Sequence, residues 1–236
     1  MMPHSATRQT YAILMGDLVT SERHANPASL YDRFNDAIAR ANVDHAADLA
    51  SPLTITLGDE FQGLATSLVA AAFIARTIRY RLMDADIDCR FSIGLAALAT
   101  PLNTDRAWNM MGHGLAAARE RLDEKRANNL YRFSLPNQAA LETLLEASGA
   151  TLTAIERKWS DIQRRDIVAL LAGEVIDDVA ARRNVTTKNI YKTRAAGDYD
   201  LYLTQWDAIR TALRTLDECQ GLPGAARWST RSFIPA

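Results

Sequence analysis

Two acids stand where this chain could do chemistry. Asp17 closes the apolar run Tyr11-Ala12-Ile13-Leu14-Met15, and Asp59 sits in the bend after Leu53-Thr54-Ile55-Thr56-Leu57. The first run is continuous and the second alternates, so both read as strands. Carboxylates leaving neighbouring strands of one sheet can share one or two hard cations, which in turn clamp phosphate oxygens. That arrangement serves phosphoryl or nucleotidyl transfer. Each string also has a plainer reading. Gly58-Asp59 suits the two-residue loop of a type II′ hairpin, and Asp17-Leu18-Val19-Thr20-Ser21 suits a strand-to-helix transition with a capping acid or hydroxyl.

Other chemistries find less support. Cys89 and Cys219 are far apart and lack a CxxC or a histidine at ligand spacing, which argues against a disulfide framework or a zinc site. His4, His24, His45 and His113 show no i, i+4 pair and no nucleophile motif. With 236 residues, 48% hydrophobic content and a net charge of −1, the chain reads as an ordinary soluble protein whose nucleic-acid site, if any, is local. It shows neither an apolar signal region nor a run of about 20 apolar residues. A cytoplasmic protein without membrane contact is expected.

The elements that must position the acids follow in order. An amphipathic helix is expected over 29–41, strands over 53–57 and 61–64 around the Gly58-Asp59-Glu60 bend, and a long helix over 67–83. A strand over 89–96, a helix from Trp108 to Arg126 and a short strand over 131–135 complete the series. The order β, α, β, β, α, β, α, β fits the split arrangement of a ferredoxin-like palm, in which the first strand and the central hairpin lie side by side. Asp17 and Asp59 would then converge.

Tyr11 to Leu135 resembles the SatD family, itself similar to the nucleotidyl-cyclase and GGDEF palm superfamily. The resemblance rests on Ile13-Leu14-Met15-Gly16-Asp17, on Thr54-Ile55-Thr56-Leu57-Gly58-Asp59-Glu60-Phe61-Gln62-Gly63-Leu64 and on Arg90-Phe91-Ser92-Ile93-Gly94-Leu95. It implies that Asp17 and Asp59, with Glu60 as a further ligand, hold Mg2+ or Mn2+, and that the main chain near Leu18 and Gly58 touches metal or phosphate. Ser21, Arg23 and Arg119 are further nucleotide-binding candidates, although Arg23 and Arg119 also suit solvated charged faces. Leu57 replaces the second glycine of a diguanylate cyclase, and the lysine and Asn-Asp after its first acid are absent, which argues against cyclic-di-GMP synthesis. His113 is flanked by glycines that let a backbone approach a ligand, but is also read as an exposed loop histidine.

After Pro136 the pattern is helical. Residues 175–194 read as a helix-turn-helix, with Ala180 at a close crossing, Asn184 in a left-handed turn, Thr186 as a cap and Val179, Val185 and Ile190 as pins. Thr187, Lys188, Asn189, Lys192 and Arg194 are the candidates for phosphate and base contact. Asp177 and Asp178 oppose it, and such units also serve as packing modules. A preceding helix over 160–171 completes a three-helix unit, and a last helix from Leu201 to Leu216 is expected as a lid on it.

The sequence thus predicts an α+β protein. It comprises a flexible N-terminus (1–10), a cyclase-like palm (11–136), an all-α helix-turn-helix domain (137–220) and an irregular tail (221–236). The expected function is that of a homodimeric regulator binding a purine nucleotide with metal, and DNA. A nucleotidyl cyclase or related transferase, and a dimerisation scaffold without nucleotide chemistry, are the alternatives.

Overall fold

A computed structural model describes residues 9–19, 27–56, 58–124 and 129–228. It is an α+β structure built on a mixed six-stranded sheet: β1 (Thr10–Leu18), β2 (Leu49–Ile55), β3 (Glu60–Ala65), β4 (Cys89–Leu98), β5 (Gly112–His113) and β6 (Tyr131–Ser134). The strand order is β2-β3-β1-β4. The last of these takes β5 antiparallel at one end of its outer edge and β6 parallel at the other. The first strand is therefore central, paired antiparallel to both β3 and β4.

This position explains the sequence of β1. A strand covered on both faces carries a continuous apolar run instead of an alternating one. Ala12, Leu14 and Leu18 join the large core beneath α1 (Pro27–Asp44) and α2 (Leu68–Met83). Tyr11, Ile13 and Met15 join a smaller core beneath α3 (Leu115–Asp123). Gly16 is required where it stands, because a Cβ there would lie 2.2 Å from the Phe61 ring.

Expected elements differ at their ends. The helix foreseen from Trp108 begins at Leu115; residues 101–111 form an irregular loop, and His113 lies in β5. The loop is tied down by side-chain bonds that helical periodicity cannot reveal: Asn103 Oδ1 accepts from the N–H groups of Asp105 and Arg106, and Thr54 Oγ1 from that of Ala107. The segment after Gly221, expected irregular, holds the short helix α9 (Ala225–Trp228). Its Trp228 is buried, and the indole N–H donates to Asp48 at 3.0 Å.

The remaining helices are α4 (Ala139–Glu156), α5 (Asp161–Leu171), α6 (Ile176–Arg183), α7 (Thr187–Ala196) and α8 (Tyr199–Gln220). α8 lies against α2 and α4 as well as α7, so it bridges the sheet layers and the helical unit and is more than a lid on the latter. Polar contacts fasten it at both ends. The hydroxyls of Tyr131 and Tyr202 both donate to Glu156 Oε1 at 2.6 Å; burial and the adjoining carboxylate push both phenols well above their usual range, so they remain donors. At the other end, Asp217 accepts from the N–H groups of Leu68 (2.7 Å) and Val69 (3.1 Å), capping α2 from outside its own chain segment. Among the described residues no helix is long and apolar enough to cross a membrane.

Burial pushes the Asp217 carboxyl up to about 7, against the pull of those two N–H donors. A carboxyl raised in the folded state binds a proton that the unfolded chain has already lost, so its contribution to stability falls as pH rises from about 4 to about 7. Denaturant titrations across that range should show wild-type stability falling relative to Asp217→Asn, with the two curves parallel below pH 4.

Candidate functional site

Alternation along three strands decides which side chains meet. Asp17 is paired with Glu60 on β3 and with Arg90 on β4, and directly opposed residues face the same side of a sheet. The three therefore share the face that carries α3. Asp17 is 6% exposed, and Arg90 reaches it at 3.5 Å while donating from the same nitrogen to the Leu122 carbonyl at 3.1 Å. The Arg90 Nε is buried without a hydrogen-bond partner. Across the pair, Arg119 on α3 binds Glu60 at 2.8 Å and the Gln62 amide oxygen at 3.2 Å. Two carboxylates thus lie side by side on this face, with a guanidinium at each flank.

The hairpin turn closes beside them. Gly58 has φ +73°, the left-handed conformation that glycine adopts freely. The main-chain oxygen of Asp59 accepts the Leu18 N–H at 3.0 Å. That bond engages the Leu18 amide, and the Leu18 side chain lies in the core, which leaves the carbonyl of Leu18 as its remaining polar group. Asp59 itself is half-buried in the bend, one residue before Glu60. Asp17, Gly58, Asp59, Glu60 and Arg119 are thereby brought to one end of the sheet. Ser21 and Arg23 lie outside the described residues.

The donors offered are all carboxylate oxygens, which suit a hard cation such as Mg2+ or Mn2+. Placing Asp17 directly opposite Glu60 sets like charges side by side, an unfavourable cross-strand pair unless something between or beside them compensates. Arg90 and Arg119 supply part of that compensation. Among the described residues no three acids, histidines or cysteines form a ready metal cluster. Asp17, Asp59 and Glu60 lie at one end of the sheet without forming such a cluster, and Asp17 and Glu60 are each paired with an arginine. Sequence reasoning missed Arg90 and Gln62 as site residues; only the register of β4 and β3 against β1 reveals them.

On the helical unit, Thr187, Lys188, Asn189 and Lys192 are exposed along α7, together with Tyr191, which is 57% exposed and was not singled out in the sequence. Arg194 pairs with Asp200 at 2.9 Å, and its guanidinium lies 4.5 Å from the Tyr199 ring and 5.9 Å from the Tyr191 ring. Asn184 adopts the expected left-handed conformation, φ 53°. Thr186 occupies the N-cap of α7, but its side chain makes no capping bond.

Together these features define an α+β protein with a paired-charge site at one end of its sheet. The chain matches the SatD family over residues 11–198, from the start of the sheet to the end of α7, and it belongs to that family. No curated protein matches it.

The two arginines should differ in their structural weight. Removing Arg90 leaves Asp17 buried beside Glu60, and Arg90→Ala is expected to lose about 3 kcal/mol or more of stability. Arg119→Ala breaks a half-exposed pair and should lose about 1 kcal/mol or less. Urea denaturation of the two variants measures both.

Proposed function

We propose that this chain is a nucleotide-responsive regulator. Its sheet layer is a ferredoxin-like, cyclase-like palm that binds a purine nucleotide with a divalent metal, and its α5–α7 unit is a helix-turn-helix that binds DNA. One observation carries the nucleotide reading: Asp17 is fixed in register between Glu60 and Arg90, with the Asp59 turn bonded to the next residue. Sequences depart from favourable local pairing where function demands it. The strand order β2-β3-β1-β4, with antiparallel neighbours, supports the palm.

In this reading Asp17, Asp59 and Glu60 hold Mg2+ or Mn2+. The bound cation neutralises phosphate charge and orients phosphate oxygens. Arg90 keeps the Asp17 carboxylate in place from the β4 side. Arg119 pairs with Glu60 and Gln62 in the free protein, and its planar fork suits a phosphate when one arrives. The Leu18 carbonyl and the Gly58 main chain border the same end of the sheet, and Ser21 and Arg23 follow β1 in sequence.

Thr187, Lys188, Asn189, Tyr191 and Lys192 present hydroxyl, amide, ring and ammonium groups along one exposed helix, and lysines on such a surface bind phosphates in a salt-dependent way. Arg194, which also contacts α8, completes the set. The regulator acts as a homodimer. A second reading, a nucleotidyl cyclase or transferase, uses the same acid pair for two-metal chemistry and differs only in yielding product.

Calorimetric titration with ATP and GTP, each with Mg2+, tests the palm. The parent should bind and the Asp17→Ala/Asp59→Ala double variant should not; chromatography of the mixture for cyclic or linear products separates regulator from enzyme. Failure of the parent to bind either nucleotide contradicts the proposal. For the helical unit, Lys188→Ala and Lys192→Ala should each weaken binding to genomic DNA fragments and lower the slope of log affinity against log salt by about 1.

A further inference from the structure

The face that carries Asp17 and Glu60 continues, away from the hairpin turn, into a cleft of ≈330 Å3 lined by Ile13, Met15, Gln62, Leu64, Met110 and Arg119, among others. Its floor is the sheet and its walls are α3 and the 101–111 loop. The loop wall is fastened at Ala107, whose N–H donates to Thr54 Oγ1 at 2.9 Å and whose carbonyl accepts from Gln62 Nε2 at 2.6 Å. The volume lies at the lower end of the range for small-molecule sites, and the lining has their character, largely apolar with few polar groups.

Two of the lining residues also belong to the charged site. Arg119 binds Glu60 and Gln62, so the guanidinium stands at the junction between the apolar cleft and the carboxylates. A ligand filling both halves has a flat apolar body and an anionic end that sits with a metal. We propose that the cleft receives the base of the nucleotide, a purine ring lying between the Ile13/Met15 floor and Met110, with its phosphates toward Asp17 and Glu60. This rests on the nucleotide reading given above. The two methionines suit a ring face, since thioethers pack well on aromatic systems.

The hydrogen bonding adds a specificity. Both ends of the Gln62 amide are engaged, one by Ala107 and the other by Arg119. A site without a dedicated partner for the base edge separates related rings weakly, so ATP and GTP bind within about tenfold of each other. A pyrimidine buries less apolar area and binds more weakly than either.

Ala116 is an exposed position of α3 at the cleft, and Met110 is a half-buried residue of the loop. Ala116→Trp therefore fills the cleft from an exposed position, and Met110→Trp fills it from the edge of the smaller core. The experiment titrates the full chain and each variant with ATP, GTP and inorganic tripolyphosphate, all with Mn2+, after thermal melting has shown each variant folded. Expected is a loss of about tenfold or more in ATP and GTP affinity in both variants, with tripolyphosphate binding unchanged. Photolabelling of the parent with 8-azido-ATP should mark peptides between Leu102 and Arg119. Unchanged ATP affinity in both variants, or label confined to α1 and α2, overturns the cleft assignment while leaving the nucleotide reading intact. ATP binding no tighter than tripolyphosphate overturns it too. A parent that binds neither ATP nor tripolyphosphate overturns both.

Discussion

The register of β1 between β3 and β4 is the constraint on which the site depends. Both faces of β1 are covered, one by α1 and α2 and the other by α3, so a slip of one residue would move every core side chain to the wrong layer. The apolar run from Tyr11 to Met15 thus locks the strand in place, and Asp17 has no choice of face. Its neighbours are then fixed as well: Glu60 on one side and Arg90 on the other. Packing energy along the strand holds together a charge arrangement that pairwise electrostatics alone would not select.

The same strand end is continuous with the buried polar bonds that hold the C-terminal helices. The Val19 N–H donates to the Asp88 carbonyl, the Asp88 carboxylate binds Arg79 at 2.8 Å, and Arg79 binds Glu156 at 2.9 Å. Glu156 in turn takes the Tyr131 and Tyr202 hydroxyls, and Trp159 packs on Tyr202 while donating to the Gly197 carbonyl at the end of α7. A buried carboxylate with one arginine and two phenols has its lone pairs well satisfied, which is the condition under which such a group is tolerated inside a protein. Sheet, α4, α8 and the α5–α7 unit accordingly share one contiguous core.

Much of this was legible in the sequence where local patterns decide the outcome. Apolar runs located β1 and β3 and the helical stripe located α2, whereas β2, expected over 53–57, runs from Leu49 to Ile55. Glycine at position 58 marked the hairpin, and the acids at 17 and 59 stood out because each follows a run that reads as a strand. What could not be read was set by long-range geometry. Arg90 became a site residue only through its register opposite Asp17, and Gln62 only through its bonds to Ala107 and Arg119, both distant in sequence. The helix expected from Trp108 starts only at Leu115, because Leu102 and Met110 pack on the sheet from a loop in which Asn103 and Thr54 supply the hydrogen bonds. The contacts of Arg194 with Tyr199 and Asp200 at the start of the next helix likewise could not be read from its position on α7. Trp228, in a tail that reads as irregular, is buried because Asp48 and the Phe73 ring lie across the fold to receive it.

The central claim is that the carboxylates at the end of β1 and in the hairpin take a divalent cation together with nucleotide phosphates. The most direct measurement is a crystal structure grown with Mn2+ and a non-hydrolysable ATP analogue, with anomalous scattering collected to locate manganese. The account predicts an anomalous peak bound by Asp17 and at least one of Asp59 and Glu60, with Arg119 moved from Glu60 to a phosphate oxygen. Nucleotide bound elsewhere with the Asp17–Arg90 and Glu60–Arg119 pairs intact, or no peak at this end of the sheet at saturating ligand, would contradict it.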